Sequence, residues 1–126
     1  MQNQFINRNA HQIVPGIQPL LERFDWVFAS RLLPQAGGPI HRWKGYLPKP
    51  VDDPGSALAL DYGVRPPKEL DSSKKTGFGA ITAGVRTELQ ALGIRVAHVC
   101  GMDTDLCVLR TVGDLMELGI RPGRIH

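Results

Sequence analysis

The chain has 126 residues, 15 Lys and Arg against 12 Asp and Glu, a net charge of +3 and 42% hydrophobic residues. This length fits one domain with one core, and the apolar content excludes a wholly disordered chain. The sequence contains no apolar stretch of bilayer length, no signal-peptide pattern and too few cysteines for a disulfide framework, and its basic residues are dispersed. We therefore expect a cytoplasmic protein with reduced thiols, and neither a nucleic-acid nor a membrane partner.

The N-terminal half predicts a short helix followed by a strand within residues 17–31. Four apolar residues recur at helical spacing, namely Ile17, Leu20, Leu21 and Phe24. The apolar run Trp26–Ala29 is typical of a buried strand. Residues 32–69 contain most of the ten prolines, which predicts a long connection of the kind that often forms a lid or a binding loop.

The C-terminal half predicts a helix, a strand and a second helix. Val85, Leu89 and Leu92 lie on one helical face, with Thr82 as its N-cap and Gly93 as its stop. The β-branched run Arg95–Cys100 follows, and the second helix starts near Thr104 and ends at Gly119. Its expected buried side consists of Leu109, Val112, Leu115, Met116 and Leu118. This order favours a parallel α/β sheet, in which ligands bind beyond the carboxyl ends of the strands.

Cys107 follows such a strand end and is a candidate nucleophile. Gly101 permits a sharp turn, Thr104 or Asp105 can cap the next helix, and Cys107 then lies in the first helical turn. The positive end of the helix dipole favours a thiolate there, and the backbone N–H groups of the turn can bind an oxyanion. A small buried core residue is the alternative role for Cys107. For Cys100, inside the apolar strand, core packing is the expected role.

Two lysines end another predicted strand. Lys74 and Lys75 precede the glycine-rich turn Thr76–Ala80 and fall on the same carboxyl edge. A lysine there can stabilise a thiolate or a negatively charged intermediate. Ordinary solvated surface charge is the alternative interpretation.

Four segments together resemble a known family: Met1–Phe5, Lys75–Ile81, Val99–Val108 and Leu109–Pro122. The pattern Gly101-x-x-Thr104-x-x-Cys107-Val108 is the most specific of them. The chain resembles the isochorismatase-like cysteine hydrolase superfamily, which includes nicotinamidases, N-carbamoylsarcosine amidases, ureidoacrylate amidohydrolases and isochorismatases. The resemblance is strongest over residues 70–122.

The resemblance implies a three-layer α/β/α fold with a mostly parallel central sheet, over one domain at 1–126, and a Cys-Lys-Asp triad. Cys107 matches the nucleophile. Lys75 matches the lysine better than Lys74, because of its spacing to Phe78. The family also has a cis peptide before the threonine of the motif, here Met102–Asp103. The backbone N–H groups of Asp103 and Cys107 would then form the oxyanion hole.

The sequence also departs from the family pattern. The triad aspartate stands immediately before the residue that matches Met1, and Asp71, Asp103 and Asp105 do not match its position. We expect a partial domain with its first strand clipped and its C-terminal strand and helix missing. Hydrolytic turnover of the chain as it stands should therefore be very low.

The resemblance further implies a small amide, carbamoyl or ureido substrate and a homo-oligomer. Nicotinamidases carry an Asp-x-His metal site after the second strand. Ser30–Leu33 stands there instead, so we expect no metal and no cofactor, and nicotinamide is disfavoured as the substrate. The candidate pocket residues are Arg31, Trp43, Tyr46 and Phe78; loop packing on the sheet is the alternative role for Trp43 and Tyr46.

Two functions of other classes remain open. The chain can be a non-catalytic remnant or an oligomerisation module, since a missing central strand leaves unpaired sheet edges. A thiol redox protein using Cys100 and Cys107 ranks last, because their spacing is not Cys-x-x-Cys.

Overall fold

A computed structural model describes residues 2, 10–21, 23–50, 52–57 and 68–125. Of the first resembling segment it includes Gln2, while Met1 and residues 3–5 lie outside the described residues. The helices are α1 (Ala10–Leu21), α2 (Pro39–Lys44), α3 (Ala83–Ala91) and α4 (Leu109–Glu117), and the strands are β1 (Phe28–Leu32), β2 (Lys68–Lys75), β3 (Val96–Val99) and β4 (Arg121–Ile125). No described helix has both the length and the apolar character needed to cross a membrane.

The strands form two parallel pairs. In one pair β1 runs beside β2, with Leu32 opposite Lys75. In the other, β3 runs beside β4, with Val99 opposite Ile125. The expected α/β fold with parallel strands is confirmed. β4 occupies residues 121–125, and the expectation that a C-terminal strand and helix are missing stays a prediction.

A single central sheet was expected, but within the described residues no ladder joins the two pairs. A cavity of about 510 Å³ lies between them, lined by residues of β1 and β3 and by apolar side chains of α1 and α3. β3 is therefore covered less than a central strand would be, and Val96 is exposed.

Residues at its two ends determine where α3 begins and ends. The Thr82 hydroxyl accepts a hydrogen bond from the Val85 N–H at 3.4 Å, and Gly93 follows the helix at a φ of 63°. Thr82 is thus the N-cap that the sequence predicts, and Gly93 adopts the left-handed conformation that ends helices. Val85 and Leu89 are buried against Leu115 and Ile120, which form the core cluster.

The expected buried side of α4 needs correction. Val112 and Leu115 are buried, but Leu109 and Met116 are 63% and 61% exposed. A π-helical turn at Thr104–Val108 precedes α4 and closes with a hydrogen bond from the Val108 N–H to the Asp103 carbonyl at 3.1 Å. Such a turn holds one more residue than an α-turn and so rotates the side chains that follow.

Candidate active site

Lys75 is fixed at the end of β2. The residue is 7% exposed, and its Nζ donates a hydrogen bond to the Phe78 carbonyl at 2.6 Å. Its own carbonyl accepts from the Leu33 N–H at 2.8 Å, which carries the β1–β2 ladder one step further. Lys75 therefore lies at the carboxyl edge of the pair, with its ammonium held next to the glycine-rich turn. Lys74 belongs to the same strand.

The turn after β3 carries the second group of site residues. Gly101 has a φ of 156°, which favours glycine, and the Met102–Asp103 peptide bond is cis. The Asp103 carbonyl accepts hydrogen bonds from the N–H groups of Leu106 and Val108, at 3.2 and 3.1 Å. The expected cap at Thr104 or Asp105 is wrong: Asp103 is the N-cap residue, and the turn has no side-chain cap bond. The turn is closed by a backbone hydrogen bond, from the Val108 N–H to the Asp103 carbonyl.

Cys107 lies half-buried in the π-helical turn. Its carbonyl accepts from the Thr111 hydroxyl at 2.7 Å, and that hydroxyl in turn accepts from the Ala80 N–H at 3.1 Å. Thr111 thus ties the cysteine turn to the segment that follows Lys75. The sequence analysis did not single out Thr111. Its position four residues after Cys107, where a threonine hydroxyl can bond to the carbonyl one helical turn earlier, is the signal that could have found it.

Gln2 is a further buried contact that the sequence did not single out. Its side-chain Oε1 accepts from the Leu32 N–H at 2.6 Å, and its Nε2 donates to the Leu32 carbonyl at 3.2 Å. The same Nε2 lies 3.0 Å from the Ser56 hydroxyl and 3.1 Å from the Ser56 carbonyl. The Gln2 amide therefore pairs with the end of β1 as a peptide group would.

The cavity brings the predicted residues together. Lys75, Cys107, Asp103 and Met102 all line it, together with the candidate pocket residues Tyr46 and Phe78. The other two candidates are not among its lining residues. Arg31 lies on β1 between Ser30 and Leu32, where side chains alternate between faces, and the Trp43 ring packs edge-on against Phe78.

Two pKa values are displaced at this cavity. Burial, with smaller contributions from the charges of Asp103 and Cys107, raises the pKa of Tyr46 above its ordinary 10.0. Tyr46 therefore lies within electrostatic reach of both residues.

Cys100 also has a displaced pKa. Partial loss of solvent around the thiol raises the pKa of Cys100, although the residue as a whole remains exposed. The expectation that Cys100 packs in a core strand is wrong, because β3 ends at Val99 and Cys100 faces the cavity.

Among the side chains that the structure describes, no three or more His, Cys, Asp or Glu residues gather into a group that could hold a metal ion. The candidate reactive groups that line the cavity are the side chains of Cys107 and Lys75 and the backbone at Asp103.

Known proteins were compared with the whole chain. No curated protein matches the sequence. Among solved structures, the pyrazinamidase of Pyrococcus horikoshii in complex with zinc matches with a TM-score of 0.72 at 20% identity, over 95% of this chain and 76% of that one. The nicotinamidase of Bacillus subtilis matches with a TM-score of 0.75 at 22% identity, over 99% of this chain and 78% of that one.

At these identities the structural matches establish the shared fold. The model of the isochorismatase domain matches residues 1–123 of the sequence. Because this match spans nearly the whole sequence, the chain belongs to the isochorismatase domain family.

Proposed function

We propose that this chain carries the site of a cysteine hydrolase that acts on the C–N bond of a small amide, carbamoyl or ureido compound. The observation that carries the proposal is that Lys75, at the end of β2, and Cys107, in the turn that follows β3, line one cavity. Lys75 is buried with its ammonium hydrogen-bonded, and Cys107 opens a helix at a strand end. A cation beside a thiol favours the thiolate, and the shared cavity is what supports pairing Lys75 with Cys107.

The reaction then follows from these groups. The Cys107 thiolate attacks the substrate carbonyl carbon and forms a tetrahedral intermediate, whose oxyanion accepts hydrogen bonds from the N–H groups of Asp103 and Cys107. Collapse breaks the C–N bond, the leaving nitrogen takes up the proton that the thiol had given to the acid–base group of the triad, and a thioester remains on Sγ. Water then attacks the thioester and releases the acid and the thiolate. Lys75 stabilises the thiolate and both oxyanions.

The proton acceptor is the third member of the triad that the resemblance implies. We propose this role for none of Asp71, Asp103 and Asp105, because none of them matches the position of the triad aspartate. A test that needs only the nucleophile and its lysine is therefore the most direct one. Acylation of a thiolate by an activated ester meets this condition, because the leaving group needs no proton.

The experiment is a single-turnover acylation with 4-nitrophenyl acetate, with the modified cysteine located by mass spectrometry. We expect an acetyl adduct at Cys107, lost in Cys107→Ser and kept in the matched control Cys100→Ser. An adduct confined to Cys100, or equal adducts at both cysteines, would contradict the proposal.

A non-catalytic module of the same fold is the second candidate, and two observations favour it. No ladder joins β1 to β3 within the described residues, and α4 presents the exposed apolar side chains of Leu109 and Met116. Both are features of surfaces that associate. A concentration-dependent molecular mass together with an unreactive Cys107 would support this candidate and exclude the first.

A further inference from the structure

Helix α2 reaches both segments of the candidate active site. It begins at Pro39 and ends at Lys44, and Gly45 closes it in the left-handed conformation at a φ of 69°. The Gly45 N–H donates to the His41 carbonyl at 2.9 Å, and the Gly37 N–H donates to His41 Nδ1 at 3.0 Å. Both ends of this short helix are thus held by hydrogen bonds.

The last two residues of α2 contact different segments. The Trp43 ring lies edge-on to Phe78, with centroids 5.7 Å apart, and Phe78 is the residue whose carbonyl holds the Lys75 ammonium. Lys44 Nζ lies 3.4 Å from Asp103 Oδ2, across 59 positions of sequence. It also lies 5.2 Å from the centroid of the Trp43 ring, within cation–π range. α2 therefore bridges the lysine turn and the cysteine turn.

Asp103 places a carboxylate at the start of the turn that contains Cys107. Its backbone carbonyl closes the turn that holds Cys107, and its charge and that of Cys107 both act on the Tyr46 hydroxyl. An uncompensated carboxylate there opposes both a thiolate and an oxyanion. Asp103 is the N-cap of the cysteine turn and Asp105 lies in its first turn. Asp25, Lys44 and Lys75 line the same cavity as Cys107. Lys44 is the cation that pairs with Asp103.

We propose that Lys44 is a positioning residue for the nucleophile: it neutralises the Asp103 carboxylate and ties α2 to the turn that carries Cys107. The proposal rests on the proposed function of Cys107 and goes beyond it by adding a group outside the triad. Lys44 acts through Asp103, so its effect on Cys107 depends on the charge at position 103. The ion pair is partly exposed, which limits its size and makes it sensitive to salt.

The test is a double-mutant cycle read by the rate of iodoacetamide labelling of Cys107, with Cys100 as the reference in the same molecule. We expect Lys44→Met to slow labelling by about two- to fivefold at low salt, and by less at high salt. In an Asp103→Asn background the same substitution should have no effect, and Lys44→Arg should restore the rate. Arg42→Met, on the same helix and exposed, is the matched control and should leave the rate unchanged.

The outcomes separate the two claims. If Cys107 reacts rapidly but Lys44→Met has no effect, or slows labelling equally with Asp103→Asn present, the role of Lys44 is refuted and the proposed function stands. If Cys107 is no more reactive than Cys100 in the unaltered chain, both are refuted.

Discussion

The ammonium of Lys75 lies 2.6 Å from the carbonyl oxygen of Phe78, at the start of the turn that leads to α3. This contact holds a buried cation at the edge of the cavity that Cys107 also lines. The neighbouring Lys74 belongs to the same strand, so the two lysines provide a matched comparison.

Replacement of Lys75 should therefore lower the reactivity of Cys107. We expect Lys75→Met to slow iodoacetamide labelling of Cys107 by about tenfold, because a nearby cation favours the thiolate. Lys74→Met should change the rate less than about twofold. Circular dichroism of both variants controls for folding. A larger effect at Lys74 would reverse the assignment of the two lysines.

Removal of the Gln2 amide should destabilise the fold. Gln2 is buried and bridges Leu32 and Ser56, so Gln2→Ala leaves buried backbone groups without a partner. The expected loss is about 1–3 kcal/mol in the free energy of unfolding, measured by urea denaturation. Gln12→Ala, at an exposed helix position, is the control and should be close to neutral. Equal losses in both variants would show that the Gln2 contacts contribute nothing specific.

Arg110 and Asp114 of α4 form an ion pair at 2.9 Å. Substitutions of two glycines near this pair should change the stability in opposite directions. A Cβ at Gly79 would collide with the Asp114 carboxylate and lie 3.2 Å from Arg110 Cγ, whereas a Cβ at Gly113 meets nothing within 4 Å. Gly79→Ala should cost about 1–3 kcal/mol in unfolding free energy. Gly113→Ala, inside α4, should gain about 0.5–1 kcal/mol. Thermal unfolding of both variants gives the comparison, and stabilisation by Gly79→Ala would contradict the packing described here.

The raised pKa of Tyr46 predicts how stability depends on alkaline pH. The folded state keeps this proton to a higher pH than the unfolded chain, whose tyrosine titrates near 10.0. Stability should therefore fall as the pH rises through about 10, because the unfolded state then binds fewer protons. Tyr46→Phe should remove part of this fall in urea unfolding, and Tyr62→Phe is the control. An unchanged pH dependence in Tyr46→Phe would show that its pKa is the same in both states.

Local signals in the sequence were sufficient for several features. Thr82 and Gly93 bound α3 as predicted, since capping depends on residues next to each other in the chain. The carboxyl-edge argument predicted that the segments of Lys75 and Cys107 fall on one edge of a sheet. In the structure Lys75 ends β2, Cys107 lies in the turn after β3, and both line one cavity.

Features that depend on distant or unusual backbone contacts could not be predicted. The exposed positions of Leu109 and Met116 depend on which face of α4 packs against α3, and the apolar pattern of this segment is too broad to define that face. Gln2 acts through partners 30 and 54 positions away. The exposure of Cys100 follows from the gap between the two strand pairs, which no residue in its own segment indicates.

The most direct test of the central claim is the rate of iodoacetamide labelling in the folded chain, with Cys107 and Cys100 quantified separately by mass spectrometry. We predict that Cys107 is labelled much faster than Cys100 in the folded chain, and that this selectivity disappears in urea. Slow and equal labelling of the two cysteines in the folded chain would contradict it, and the non-catalytic module would then be the better account.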